Sequence, residues 1–133
     1  MRREVANRAK HLCEYCRIPD AFAPDAFEAE HVTPVCRGGQ SLFENLAWAC
    51  GGCNAFKSVH MTGVDPLSGL TVSFFNPRQD AWSDHFAWAG GDSLFIEGIT
   101  PVGRATVTRL RMNRPGLRNL RLLLSSVGKH PPH

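Results

Sequence analysis

Five cysteines are the first residues in this chain whose spacing could do chemistry. Cys13 and Cys16 form one Cys-x-x-Cys pair and Cys50 and Cys53 a second, with 33 residues between them. Each pair can place two thiolates on one ion from a tight turn, and four thiolates complete a closed tetrahedral shell. Such a shell has no position for substrate, so the expected ion is a structural Zn²⁺ that adds folding energy to a small core. The interval is longer than in a simple zinc ribbon, so a folded unit must lie between the pairs. Cys36 falls outside both pairs and is expected to have no role. An odd number of cysteines also suits a disulfide framework poorly.

Between the pairs stand an acid-histidine dipeptide, Glu30-His31, and an asparagine, Asn45; a second asparagine, Asn54, directly follows the last cysteine. Hydrolysis of a phosphodiester needs a base to activate water and a cation to stabilise developing charge. His31 is the candidate base, because a neutral imidazole is available near neutral pH. Glu30 and Asn54 offer two oxygen donors for one hard cation, with water and phosphate completing the shell, which suits Mg²⁺. Asn45 is expected to tie down the intervening loop. Taken singly these residues mean little; a lone histidine is usually structural and a lone asparagine usually a cap or turn.

In combination the pattern is specific. Cys-x-x-Cys, Glu30-His31-x-x-Pro34, Gly38-Gly39, Asn45-Leu46 and Cys-x-x-Cys53-Asn54-x-x-Lys57 together resemble the HNH endonuclease family, in its zinc-bound ββα-metal form. The resemblance spans roughly residues 5–60. It implies that His31 is the general base, that Glu30 and Asn54 bind a catalytic Mg²⁺ or Mn²⁺, and that Asn45 orients the loop as part of the catalytic set. It implies DNA as the substrate. The last residue of the motif is an asparagine, a neutral amide and a poorer ligand than imidazole for softer metals.

The elements that must position these residues follow from periodicity and turn chemistry. Residues 3–12 read as a helix, with Val5, Ala9 and Leu12 on one face. Residues 27–32 alternate as a strand, and Gly38-Gly39 supply a turn. Ser41 and Glu44 read as a capping box on a short helical segment whose core side is Leu42, Leu46 and Trp48. A strand-like return then leads to a helix from Asn54 to about His60. Further on, residues 70–75 read as a strand, and residues 86–96 as a hairpin around Gly90-Gly91. Pro77 to His85 is a polar-aromatic cluster in which Asp80, Asp84 and His85 form a rim supporting an aromatic layer. Thr100-Pro101 starts a helix reaching about Met112, and Leu117, Leu120, Leu124 and Val127 stripe a last one. The expected fold class is therefore α+β: a core over residues 1–62, and an α/β extension over residues 63–133 packed on it.

Charge is unevenly distributed. Residues 1–97 carry a balance of −4 and residues 98–133 a balance of +7 with no acidic residue. A segment that basic suits a polyanion partner. Arg37, Lys57, Arg104, Arg109 and Arg111 are the candidate contacts to a nucleic-acid backbone, with little sequence reading expected. No apolar run approaches the ~20 residues of a membrane helix, and the charged N-terminus does not resemble a signal peptide, so a cytoplasmic location and no membrane partner are expected.

Two readings of different class emerge: a metal-dependent DNA endonuclease, and a zinc-stapled nucleic-acid-binding module that does not hydrolyse. A third, a redox protein using its thiols, would require the zinc to be absent.

Overall fold

The computed structural model describes residues 1–132 and shows a mixed α and β chain with three two-stranded sheets. Helix α1 (Arg2–Arg8) is short and buries Val5 and Ala6. Two of its arginines reach across the chain: Arg2 donates to Phe27 O at 2.8 Å, while Arg8 donates to Phe43 O at 2.7 Å and to Leu46 O. These bonds fasten α1 to both ends of the central hairpin.

That hairpin pairs β1 (Glu28–His31) antiparallel with β2 (Leu46–Ala49), placing His31 opposite Leu46 and Glu30 opposite Ala47. Every residue of β2 is buried, so it reads as an apolar run rather than an alternation. Helix α2 (Gly51–Lys57) follows directly. It starts at the knuckle itself: Cys50 is the N-cap, and its Sγ accepts from Cys53 N at 3.4 Å. The helix is therefore shifted three residues towards the N-terminus of the expected one and ends before His60.

The loop between the strands corrects another expectation. Residues Phe43–Asn45 form one 3-10 turn with no side-chain cap, so no capping box forms. Leu42 is 51% exposed, and Leu46 and Trp48 reach the core from a strand instead. Gly38 ends the preceding turn in the left-handed region at φ 89°. Gly39 has a different need: a Cβ there would lie 1.7 Å from Thr33 O. The backbone can fold back on itself only without a side chain.

The second half adds β3 (Thr62–Val64) with β4 (Thr71–Ser73), a one-turn helix α3 (Trp82–His85), and β5 (Phe86–Ala89) with β6 (Phe95–Gly98). Helix α4 (Pro101–Leu110) has Thr100 as N-cap, accepting from Gly103 N at 3.0 Å, and Pro101 in the first turn. Arg111 closes it in the left-handed conformation. Pro115 opens α5 (Pro115–Ser126), which buries Leu117, Arg121 and Leu124 and leaves Val127 exposed.

One apolar cluster joins the two halves. Val5, Tyr15, Phe27 and Trp48 belong to it together with Phe75, Phe86, Ile96, Leu110, Met112 and Leu117. Phe75 stands edge-on to both Tyr15 and Phe86, at ring-centroid distances of 6.3 and 5.2 Å. No helix among the described residues is long and apolar enough to cross a membrane.

Candidate functional site

The two knuckles meet. The Sγ atoms of Cys13, Cys16, Cys50 and Cys53 all lie within 4.8 Å of one another, and all four residues are buried. Cys16 Sγ and Cys50 Sγ are 3.7 Å apart. A disulfide would bring them to about 2.05 Å, whereas Zn–S bonds of about 2.3 Å in a tetrahedron put neighbouring sulfurs about 3.8 Å apart. The knuckles also share a local geometry, since Cys16 N donates to Cys13 Sγ at 3.5 Å just as Cys53 N does to Cys50 Sγ. Four buried sulfurs at this spacing fit a structural Zn²⁺ and leave no coordination site for substrate.

Both residues inside the first knuckle have jobs at a distance. Glu14 Oε2 accepts from Trp48 N at 2.7 Å, and its Oε1 pairs with Arg78 from the second half. Tyr15 donates its hydroxyl to Glu30 Oε1. Lys57, from the last turn of α2, donates to Glu30 Oε2 at 3.1 Å and to the carbonyls of His31 and Val32, each at 3.3 Å. Glu30 is thus held from both sides by groups that the two knuckles position. Burial raises its pKa, while the neighbouring Lys57 ammonium, the Tyr15 hydroxyl and His31 act in the opposite sense. Burial, and next the Glu30 charge, push Tyr15 well above its usual value, which keeps it a proton donor.

Lys57 departs from the expected nucleic-acid contact. It is 2% exposed, and its ammonium is spent on Glu30 and two carbonyls. An unpaired carboxylate in that interior would cost several kcal/mol, so the lysine is drawn in. Arg104 is likewise committed elsewhere, gripping Asp65 through Nε at 2.8 Å and Nη2 at 2.9 Å.

His31, Glu30 and Asn54 line one cleft of about 580 Å³, together with Cys36 and the Ser58–Val59 corner. His31 is half-buried, and its Nε2 lies 2.8 Å from Ser41 Oγ. Ser41 therefore serves the histidine rather than a helix. Asn45 clamps the loop: its Oδ1 accepts from Thr33 N at 2.9 Å, and its Nδ2 donates to Thr33 O at 3.0 Å and Gln40 O at 2.9 Å. Its side-chain bonds hold the chain reversal between the acid-histidine pair and β2.

Three arginines remain at the surface near the end of α2. Arg37 donates through Nε to Val59 O at 3.1 Å, and Arg109 through Nε to Phe56 O at 3.0 Å. Arg111 lies over the Phe56 ring at 4.8 Å. All three are exposed.

In the polar-aromatic cluster, the side chains of Asp80 and His85 have partners within the second half. Asp80 accepts from Asn76 N at 2.9 Å, and His85 Nδ1 sits 2.6 Å from Thr100 Oγ1. Among the described residues, the four cysteines are the group of potential metal ligands that the fold draws together. Sequence reasoning assigned Tyr15 no role, gave Ser41 the role of a helix cap, and left Arg78 within the polar-aromatic stretch without its partner Glu14.

Searches of curated proteins and of solved structures found no match. The HNH endonuclease family model matches residues 13–59, from the first cysteine to the corner that closes the cleft. Over these residues, which span the two knuckles, the chain is similar to the HNH endonuclease family, and its four-cysteine cluster fits the zinc type.

Proposed function

We propose that this protein is a metal-dependent endonuclease acting on DNA, with the ββα-metal arrangement formed by β1, β2 and α2. The observation that carries the reading is that Glu30, His31 and Asn54 line a single open cleft, although they come from a strand and a helix 23 residues further on. In the tautomer with its proton on Nε2, His31 donates to Ser41 and keeps the Nδ1 lone pair to take a proton from water. The imidazole thereby acts as general base towards a phosphodiester in the cleft. Asn45 keeps the loop carrying Ser41 closed against Thr33, which fixes the base's partner.

Glu30 and Asn54 are hard oxygen donors suited to Mg²⁺ or Mn²⁺. Bound there, such an ion would supply charge stabilisation at the phosphate and the departing oxygen. Lys57 already neutralises Glu30, so retention of the ion is expected to be weak without a substrate phosphate. Arg37, fastened to Val59 at the cleft edge, and the exposed Arg109 and Arg111, held on Phe56 of α2, would supply cationic contacts to a sugar-phosphate backbone.

One observation favours the second reading, a nucleic-acid-binding module without hydrolysis. Both carboxylate oxygens of Glu30 have internal partners, so the site is electrostatically complete without a divalent ion. Supercoiled plasmid incubated with the zinc-loaded protein separates the two. The nuclease reading expects relaxed or linear product with Mg²⁺ or Mn²⁺ and none with EDTA. Salt-sensitive DNA binding with no product at any divalent ion would establish the binding module instead.

A further inference from the structure

The zinc knuckles do not close on themselves; a residue from the far end of the chain finishes them. Arg114, the N-cap residue of α5, points its guanidinium at the second knuckle. Nη2 lies 3.4 Å from Cys50 Sγ and Nη1 lies 3.8 Å from Cys53 Sγ, both within hydrogen-bond range for sulfur. Nη1 also donates to Leu110 O at 3.1 Å and Arg111 O at 3.2 Å, which anchors the fork on the end of α4.

The knuckle is shaped to admit this group. Cys50-Gly51-Gly52-Cys53 has glycine at both inner positions, where the first knuckle has Glu14 and Tyr15. A Cβ on Gly52 would fall 2.3 Å from Arg114 Nη2 and 2.8 Å from its Cζ. Gly52 shows no positive φ, so its conformation does not demand glycine. The space it leaves is taken by the guanidinium.

Access gives the contact a purpose. Three of the cysteines are fully buried, whereas Cys50 is 4% exposed and lines a cleft of about 290 Å³ whose wall includes Arg114 and Leu117. Four thiolates and one Zn²⁺ carry a net charge of −2, and the fixed cation stands at the one sulfur that this cleft reaches. Donors to ligand atoms tune and retain a bound metal as the ligands themselves do.

We propose that Arg114 is an outer partner of the four-cysteine centre. By donating to the Cys50 and Cys53 thiolates it retains the zinc and shields Cys50 from chelators and electrophiles. The C-terminal half thus completes the metal site. The proposal requires the zinc centre and is independent of nuclease activity.

The test uses the full chain loaded with Zn²⁺ or, as a spectroscopic probe, Co²⁺. Variants are Arg114→Met, Arg114→Lys and Gly52→Ala, the last leaving the arginine present but displaced. Circular dichroism reports the fold. Arg114→Met and Gly52→Ala should hold zinc about 10–100-fold less tightly and lose it faster to a chelator. Their thiolate-to-cobalt charge-transfer band should move to lower energy, because a thiolate freed of a donor is easier to oxidise. Arg114→Lys should recover part of the retention. A merely packing role for the arginine would not move the band. Unchanged spectra and zinc affinity in both Arg114→Met and Gly52→Ala would overturn the proposal, as would a parent protein that shows no tetrathiolate cobalt spectrum.

Discussion

At the scale of the residue, the site is built on one buried carboxylate. Glu30 lies between a phenol delivered by the first knuckle and an ammonium delivered by the helix of the second. This pairing was not legible in the sequence, where Glu30 read as a ligand for a divalent cation and Lys57 as a contact to nucleic acid. Spacing reveals which residues can converge, but burial decides which charges must pair, and burial is set by packing from both halves. The same holds for Ser41, which the Ser-x-x-Glu pattern marks as a cap. Its hydroxyl finds His31 ten residues away instead. The lysine assignment has a measurable consequence. Lys57→Met leaves Glu30 buried with Tyr15 as its remaining side-chain partner, and should destabilise the fold by about 3–5 kcal/mol. Chemical denaturation reads this directly. A variant that kept full stability but bound DNA more weakly would return Lys57 to the surface role.

At the scale of the element, local chemistry predicted what local chemistry controls. Thr100-Pro101 marks the start of α4, and Gly90-Gly91 lies in the β5–β6 connection. The β3 strand was missed because Thr62-Gly63-Val64 is short and mostly exposed, with neither an apolar run nor a clear alternation. Its hairpin is held through Asp65, a fully buried side chain gripped by Arg104 from α4. The Arg104 guanidinium holds the Asp65 carboxyl well below the usual carboxylate range. The folded state therefore binds this proton less tightly than the unfolded chain, whose aspartate titrates near about 3.9. The pair's contribution is present above that pH and lost as pH falls below it. Asp65→Asn should lower the melting temperature at neutral pH, and the gap to the parent should narrow as pH falls through about 4. A gap that widened in acid would contradict the assignment.

At the scale of the whole molecule, the four cysteines were the most legible feature, because metal geometry fixes ligand type and spacing more tightly than packing fixes anything else. The sequence suggested that the second half packs on the first, but not which side chains join them or that one apolar cluster runs through both. Trp82 donates to Tyr15 O at 2.8 Å, Arg78 pairs with Glu14, and the buried Arg121 donates to Cys16 O at 3.4 Å. Each ties the second half to the first knuckle. Structural zinc in small modules supplies roughly 10–16 kcal/mol of apparent folding energy. Stripping it with a chelator should therefore collapse the circular dichroism of both halves in one transition, with readdition of Zn²⁺ restoring it. Loss confined to the hairpin and α2, with α4 and α5 intact, would show that the halves are independent.

In the proposed reaction His31 is a base working in a cleft that a separate zinc centre holds in shape. The measurement closest to that role compares the plasmid-cleavage rate of the parent and of His31→Ala, with zinc content and melting temperature determined on the same samples. The His31→Ala rate should be at least about 100-fold lower, with zinc content and melting temperature matching the parent. Undiminished cleavage by a fully folded, zinc-loaded His31→Ala would contradict that role.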